Sequence, residues 1–284
     1  MTPQDFRCRH RLTVRWAEVD AQKIVFNAHY LMYADVAVTD YWKQMALPYE
    51  QSWGSLGGEL FVKKASVTYH ASAQMGDVLD VGIRCVKQGN TSLQFEAGIF
   101  RGQQLLNTVE LVYVFADATQ TPQPVPQPLR DMLTAFEAGE DMVQMHSGNW
   151  NDLGRLAERL RMQVFVKEQG VPRDIEIDEF DPICRHVVAT NRLGHAVATG
   201  RLVSDAPGVA RIGRMAVARE LRGSRVGRQV LDALIVAARD RGDTEAVLHA
   251  QLHAQNFYAR AGFVPEGEVY DEAGIDHITM RLKL

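Results

Sequence analysis

Between Tyr30 and Phe115 the spacing of apolar residues changes once, from helical to alternating, which restricts this stretch to a helix laid against strands. Tyr30, Tyr33, Ala34, Ala37, Val38, Tyr41, Trp42 and Met45 recur at three- and four-residue steps, with Asp35, Asp40 and Lys43 between them. That pattern predicts one long helix burying a broad aromatic stripe. The period then becomes two, at Leu79, Val81, Ile83 and Cys85, at Leu93, Phe95, Ala97 and Ile99, and at Val109, Leu111, Tyr113 and Phe115. The turn residues Gly76-Asp77, Gly89-Asn90 and Arg101-Gly102 suit antiparallel hairpins, and a further strand is expected at Leu12, Val14 and Trp16. The first half therefore reads as an α+β unit, a long central helix wrapped by a curved antiparallel sheet.

Pro122, Pro124, Pro126 and Pro128 end the ladder, because proline neither donates to a sheet nor continues a helix interior. A short helix near Leu129 to Phe136 follows, and the polar Ala138 to Asn149 reads as a linker. The boundary is placed at 140, giving units 1–140 and 141–284. The second unit alternates a helix face (Leu153, Leu156, Ala157, Leu160), strands at Val187–Ala189, Ala196–Val203 and Ile212–Val217, a helix over Ser224–Arg239, a strand at Ala246–Ala250 and a last one through Ile278, Met280 and Leu282. This is the grammar of an α/β sheet.

Composition excludes several functions. Across 284 residues the formal net charge is −4, which gives no global electrostatic grip on nucleic acid or an acidic membrane, so any anion site must be local. No run of 18 apolar residues occurs, and Met1 to Arg11 has no apolar core before a cleavage site, so a cytoplasmic protein is expected. Cys8, Cys85 and Cys184 are odd in number and lack metal-ligand spacing, so they are expected to be reduced thiols, and no metal is expected.

Asp20-Ala21-Gln22-Lys23-Ile24-Val25-Phe26-Asn27-Ala28-His29-Tyr30 places a carboxylate beside the start of the aromatic helix. Unpaired N–H groups at such a start can hold a developing oxyanion while the carboxylate attacks or activates water; equally, Asp20 can be a turn or capping residue. This stretch, with the aromatic helix and the strand meander, resembles the hotdog-fold acyl-CoA thioesterases of the hydroxybenzoyl-CoA type over about residues 7 to 137, matching at Asp20, Ala21, Val25, Ala28 and Tyr30. Gln22-Lys23 stand where that family has glycines, and Asn27 where it often has histidine. The resemblance implies Asp20 as general base or nucleophile, the amides near Asn27 as the oxyanion site, and His29 as either a substrate contact or a structural hydrogen-bonding residue. Lys63-Lys64, Val67-Thr68-Tyr69 and Gly76-Asp77 extend it.

In the second half Arg211, Arg214, Arg219, Arg222, Arg225 and Arg228 crowd a strand, a turn and a helix start, forming either a solvated face or an anion site. Arg222-Gly223-Ser224-Arg225-Val226-Gly227 resembles the acetyl-CoA loop of the GNAT superfamily, with Arg225 in place of the middle glycine. Leu160-Arg161, Val164-Phe165-Val166, Glu168-Gln169, Ile177-Asp178-Glu179-Phe180-Asp181, Arg185-His186 and Gln255-Asn256-Phe257-Tyr258 resemble its ElaA-like branch over about residues 143 to 284. The resemblance implies an α/β GNAT domain with a mixed sheet, acetyl-CoA held at Arg222, Gly223, Arg225, Val226 and Gly227, and backbone pairing of pantetheine with Met215 and Val217. It also implies Tyr258 as general acid and Asn256 as a cofactor anchor. Tyr258 can instead be an aromatic core residue with Phe257 and Phe263, and Asn256 a helix cap. Glu168, Asp178, Glu179, Asp181 and Asp271-Glu272 are either a solvated face or carboxylates for a cationic amine, and His253 and His277 are candidate proton relays.

Together the two resemblances imply a bifunctional coenzyme A thioester enzyme, hydrolysing an acyl-CoA in one half and acetylating an amine in the other, with coenzyme A thioesters as substrates. A homodimer or higher oligomer through the first half is expected, with no nucleic acid or membrane partner. The alternative is a sensor or scaffold whose first half only binds an acyl-CoA or dimerises.

Overall fold

The computed structural model describes residues 1–284, which form two compact units, Met1–Met142 and Val143–Leu284. Among the described residues no helix is long and apolar enough to cross a membrane.

In the first unit, α1 (His29–Gln44) is the predicted aromatic helix and packs against all five strands of one antiparallel sheet. The strands are β1 (Cys8–Thr13), β2 (Glu59–Tyr69), β3 (Val78–Gln88), β4 (Ser92–Arg101) and β5 (Gln104–Ala116), in spatial order β1-β3-β4-β5-β2. Tyr30, Tyr33, Ala34, Ala37, Val38, Tyr41 and Trp42 are buried along α1, facing Leu79, Val81, Ile83, Leu93 and Phe95 of the alternating strands. At roughly 150–250 Å² per aromatic ring, each such ring gives at most about 4–6 kcal/mol of gross transfer free energy. The Tyr41 hydroxyl donates to Glu137 Oε1 at 2.5 Å, so its polar end is satisfied within the core. Glu137 closes α3 (Gln127–Glu137), the short helix expected after the prolines; α2 (Tyr49–Leu56) precedes β2.

Three expectations are corrected here. The first strand is Cys8–Thr13, and Trp16 lies beyond it in a 3-10 turn with 80% of its surface exposed. Gly76-Asp77 closes no hairpin, since β2 and β3 sit apart and β2 pairs with β5 at the far edge. The expected linker contains β6 (Val143–Gly148), which pairs antiparallel with the first long strand of the second unit.

That unit is a seven-stranded mixed sheet. After β6 come α4 (Trp150–Arg161), a π-helical turn Met162–Glu168, α5 (Arg173–Glu176), β7 (Arg185–Asn191), β8 (Ala196–Ala206), β9 (Val209–Val217), α6 (Val226–Arg241), β10 (Glu245–Gln251), α7 (Gln255–Ala259), β11 (Val264–Glu272) and β12 (Ile275–Lys283). The order is β11-β12-β10-β9-β8-β7-β6, antiparallel except for the parallel β9–β10 step that α6 bridges. Alternation along β8 and β9 separates the two faces. A Cβ on Gly200 would meet Met215 and the α6 residues Leu234 and Val230, whereas the neighbouring Arg201 reaches Asp178 and Asp181 on the other side.

Candidate active sites

In the first unit the segment before α1 folds back as a small hairpin. Asp20 N–H donates to Ile24 O, Lys23 N–H to Asp20 O and Phe26 N–H to Glu18 O, each at 2.9 Å. Lys23 adopts φ +63°, the left-handed region glycine enters freely, so the loop closes through a conformation that a lysine rarely takes. Asp20 is half-buried; its Oδ1 accepts Gln22 N–H at 2.8 Å, while Oδ2 has no hydrogen-bond partner among the described residues. The turn role is thus present, and the second oxygen of the carboxylate takes no part in it.

The hairpin carries Asp20 to the start of α1. There the N–H groups of Asn27, Ala28, Tyr30 and Leu31 have no partner among the described residues, while His29 N–H donates to Phe26 O at 2.9 Å. Unpaired amides at a helix N-terminus stabilise negative charge. The Asn27 carbonyl accepts from the Tyr69 hydroxyl at 3.1 Å. His29 makes ring contacts with Phe26 and Tyr33 and no side-chain hydrogen bond among the described residues, so the structural hydrogen-bonding role expected for it is absent there.

Glu18 is the support that sequence reading passed over. It is buried and accepts from Arg15 N–H at 2.7 Å, the Arg15 guanidinium at 2.5 and 2.8 Å and the Tyr33 hydroxyl at 2.9 Å. Burial pushes its carboxyl upward, but these donors outweigh it and hold the group below its ordinary range.

In the second unit, Gly223 (φ +82°) and Arg225 (φ +71°) curl the chain just before α6. Arg225 thus adopts a left-handed conformation that favours glycine. The curl leaves the N–H groups of Gly223, Arg225, Val226, Gly227 and Arg228 without partners among the described residues, a nest suited to a pyrophosphate. A Cβ on Gly227 would lie 2.9 Å from Val217 Cγ2 and 3.8 Å from the Phe257 ring, so α6, β9 and α7 converge at a point where only glycine fits. Gly227→Val should lower the melting temperature, by about 1–3 kcal/mol of overpacking in stability, measured by thermal denaturation and calorimetry.

β9 and β10 pair only at Val209–Arg211 with Glu245–Val247, and beyond that no pairs join them among the described residues. Ala218 N–H donates to Val197 O at 2.9 Å, so alternation turns the backbone groups of Val217 into this gap; its carbonyl there accepts from Arg222 Nε at 3.4 Å. Met215 follows Arg214, whose φ of +51° lies where the β8–β9 register shifts. Arg222 also holds Glu168 in a two-pronged pair at 2.5 and 2.8 Å, and this guanidinium keeps the Glu168 carboxyl below the usual range.

Tyr258 packs its ring against Phe257 (4.9 Å) and Phe263 (6.1 Å), yet its hydroxyl has no hydrogen-bond partner among the described residues. Burial pushes the phenol up to about 12, so at neutral pH it carries a proton to give. Asn256 is exposed, the cap position of α7 is Ala254, and no side-chain cap bond forms, which corrects the capping alternative.

Of the acidic residues near 178, Asp178 and Asp181 are neither a solvated face nor a free amine receptor, whereas Glu179, like Asp271 and Glu272, is exposed. Arg161 Nε donates to Glu176 Oε1 at 2.5 Å, and its Nη1 and Nη2 donate to Asp181 at 2.6 and 3.0 Å. Arg201 pairs with Asp178 at 2.6 Å and Asp181 at 2.8 Å, and Arg214 reaches Ile175 O at 2.9 Å and Asp178 Oδ2 at 3.1 Å. Arg161, Glu176, Asp181 and Arg201 are buried. Burial raises Glu176 above the ordinary range. Burial also acts on Asp178 and Asp181, but the guanidinium groups outweigh it and hold both below. Asp181, Cys184 and His186 bring potential metal-ligand atoms within 4.8 Å of one another, but both Asp181 oxygens face guanidinium groups, which repel a cation.

A model of the acetyltransferase (GNAT) domain matches residues 161–284, and one of the Thioesterase-like superfamily matches residues 14–135. Protein ElaA of Escherichia coli K12 is 39% identical over 127 residues, covering 43% of this chain and 82% of its own length. A UPF0039 protein of Schizosaccharomyces pombe is 37% identical over 127 residues, covering 44% and 84%. A crystal structure of a thioesterase from Thermus thermophilus, complexed with coenzyme A and Zn, is 27% identical, covering 48% of this chain and 97% of that one, with a TM-score of 0.43.

Proposed function

The chain belongs, through its second unit, to the GNAT acetyltransferase family that includes ElaA, and carries a thioesterase-like hotdog unit ahead of it; from this premise we propose a bifunctional coenzyme A thioester enzyme. The observation that carries the reading is the nest of five unpaired N–H groups at Gly223 and Arg225 to Arg228, beside the gap between β9 and β10. In it the pyrophosphate of acetyl-CoA sits on the α6 start with Arg222 and Arg225, Met215 and Val217 pair with pantetheine, and Asn256 anchors the cofactor. An amine attacks the acetyl carbon, and the departing thiolate takes the Tyr258 proton. In the first unit Asp20 is the base or nucleophile toward an acyl-CoA, the α1 amides hold the oxyanion, and His29 with Asn27 lines the acyl site.

The deciding experiment is thiol release from acetyl-, medium-, long-chain and aromatic acyl-CoAs, with and without added primary amines. Release without amine identifies the hydrolase, and additional amine-dependent release with acetyl-CoA identifies the transferase. Tight binding with no thiol released would leave the first unit as an acyl-CoA binding or dimerisation module. Tyr258→Phe should lower amine-dependent release on the order of 10²-fold while leaving amine-free release unchanged.

The first unit is also proposed to pair with a second copy. β2 is an eleven-residue edge strand bonded only to β5, with Phe61, Val62 and Tyr69 exposed. A long exposed edge strand offers its unpaired backbone groups to another strand. Sedimentation should give at least twice the monomer mass, and Val62→Lys should shift the protein toward monomer.

A further inference from the structure

The sheet face turned away from α6 carries a histidine that neither resemblance assigns. Gln251 and Gln169 exchange side-chain hydrogen bonds, at 3.0 Å from Gln251 to Gln169, so this face of β10 looks toward the segment after α4. His249 lies two residues earlier on the same face, just past Val247, the last β10 residue paired with β9. Register places Thr279 opposite His249, His277 opposite Gln251 and Tyr270 opposite His277, so all share that face. His249 Nδ1 is 2.5 Å from the Tyr270 hydroxyl, and the Tyr270 and His277 rings stack with centroids 6.2 Å apart. His249 is itself exposed.

We propose that His249, oriented by Tyr270, is the base that deprotonates the acceptor amine of the acetyl transfer. The proposal rests on the transferase reading of the second unit and names the side from which its substrate enters. In the tautomer whose Nδ1–H donates to the Tyr270 oxygen, Nε2 keeps its lone pair. A primary ammonium gives one proton to Nε2, and the freed nitrogen lone pair forms the C–N bond with the acetyl carbon. The C–S bond breaks with its electron pair on sulfur, which takes the Tyr258 proton; the second nitrogen proton returns to Tyr258 through solvent, and His249 releases its own to water. The two proton-handling residues thus lie on separate elements, His249 within β10 and Tyr258 in α7 beyond it. Although the residue as a whole is exposed, partial desolvation of the imidazole beside Tyr270 favours neutral His249, as do Arg211 on β9 and His277 on β12, against Glu272 on β11 and Asp205 on β8. A neutral imidazole is the form a base requires.

The test compares wild type with His249→Gln and Tyr270→Phe, using acetyl-CoA with spermidine, glucosamine and 2-phenylethylamine as probe amines between pH 6.5 and 9.5. His249→Gln should transfer at least tenfold more slowly at pH 7, with the deficit closing toward pH 9.5 as the amine loses its proton unaided, and with an unchanged KM for acetyl-CoA. Tyr270→Phe should give a smaller deficit of the same pH form. In parallel, an NMR titration should show a bound amine shifting the His249 imidazole resonances. Equal rates at pH 7, or a deficit that persists at pH 9.5, would overturn the proposal while the transferase stands. Amines that shift His249 without any turnover would support the acceptor site and overturn the transfer reading instead; neither turnover nor shift overturns both.

Discussion

Arg161→Met should destabilise the second unit by about 3–5 kcal/mol, a cost expected when one partner of a buried ionic cluster is removed and its carboxylates lose compensation. For a unit of this size that is roughly a 10–15 °C fall in melting temperature, read by calorimetry. Arg161 is 1% exposed and engages both Glu176 and Asp181, so methionine fills much of the volume while leaving Asp181 with Arg201 and Glu176 with Arg214 as their remaining cationic partners. The loss carries a pH signature. Without the guanidinium, the Glu176 carboxyl, already raised by burial, rises further, and Asp181, left with Arg201, loses part of its downward hold, so the folded variant binds more protons than wild type and its stability relative to wild type falls as pH rises. The penalty should therefore be smaller at pH 5 than at pH 8. The double variant Arg161→Met with Glu176→Leu should cost less than the sum of the single changes, because removing both charges leaves less uncompensated. A loss within 0.5 kcal/mol for Arg161→Met would show that water reaches the cluster.

Asp20→Asn should reduce amine-free thiol release about 10³-fold, within the 10²–10⁴ range of a positioned proton-transfer group. Asparagine retains an oxygen to accept Gln22 N–H, so the hairpin before α1 should persist and the melting temperature should stay unchanged. Transfer to an amine by the second unit should also be unaffected. Retained hydrolysis by a folded variant would remove Asp20 from the chemistry.

How much of this was legible in the letters follows from what a side chain can signal. The aromatic stripe of α1 and the alternation of β3, β4 and β5 were readable because each element buries one face and repeats that demand along its length. β2 escaped because an edge strand exposed along most of its eleven residues imposes no alternation, and β6 because it is only six residues long with Val143 and Met145 its only large apolar residues. The proposed oxyanion and phosphate positions were legible only as helix starts beside a carboxylate and an arginine cluster, with the resemblances choosing between the alternatives, since the donors are backbone N–H groups at Asn27, Ala28, Gly223 and Arg225 to Arg228, which no side-chain pattern reports. The ionic cluster was misjudged for a different reason. Arg161, Glu176, Asp178, Asp181, Arg201 and Arg214 come from α4, the α5 segment, β8 and β9, and only the fold shows which charges meet. His249 and Tyr270 are likewise joined through β12, a partner neither sequence neighbourhood contains.

The left-handed backbone at Arg225 sets two demands on one residue against each other. A non-glycine residue there carries about 1–2 kcal/mol of steric strain, which glycine would relieve, less the roughly 0.4–1 kcal/mol that a more flexible unfolded chain takes back. Arg225→Gly should therefore melt slightly later. The same change removes a guanidinium from the edge of the nest proposed for the pyrophosphate, so on that proposal acetyl-CoA should bind less tightly, most visibly at low salt. A collection of variants selected for heat resistance alone would tend to drift toward glycine at 225 and lose cofactor affinity as it did so, while selection for turnover at scarce acetyl-CoA would keep the strained arginine.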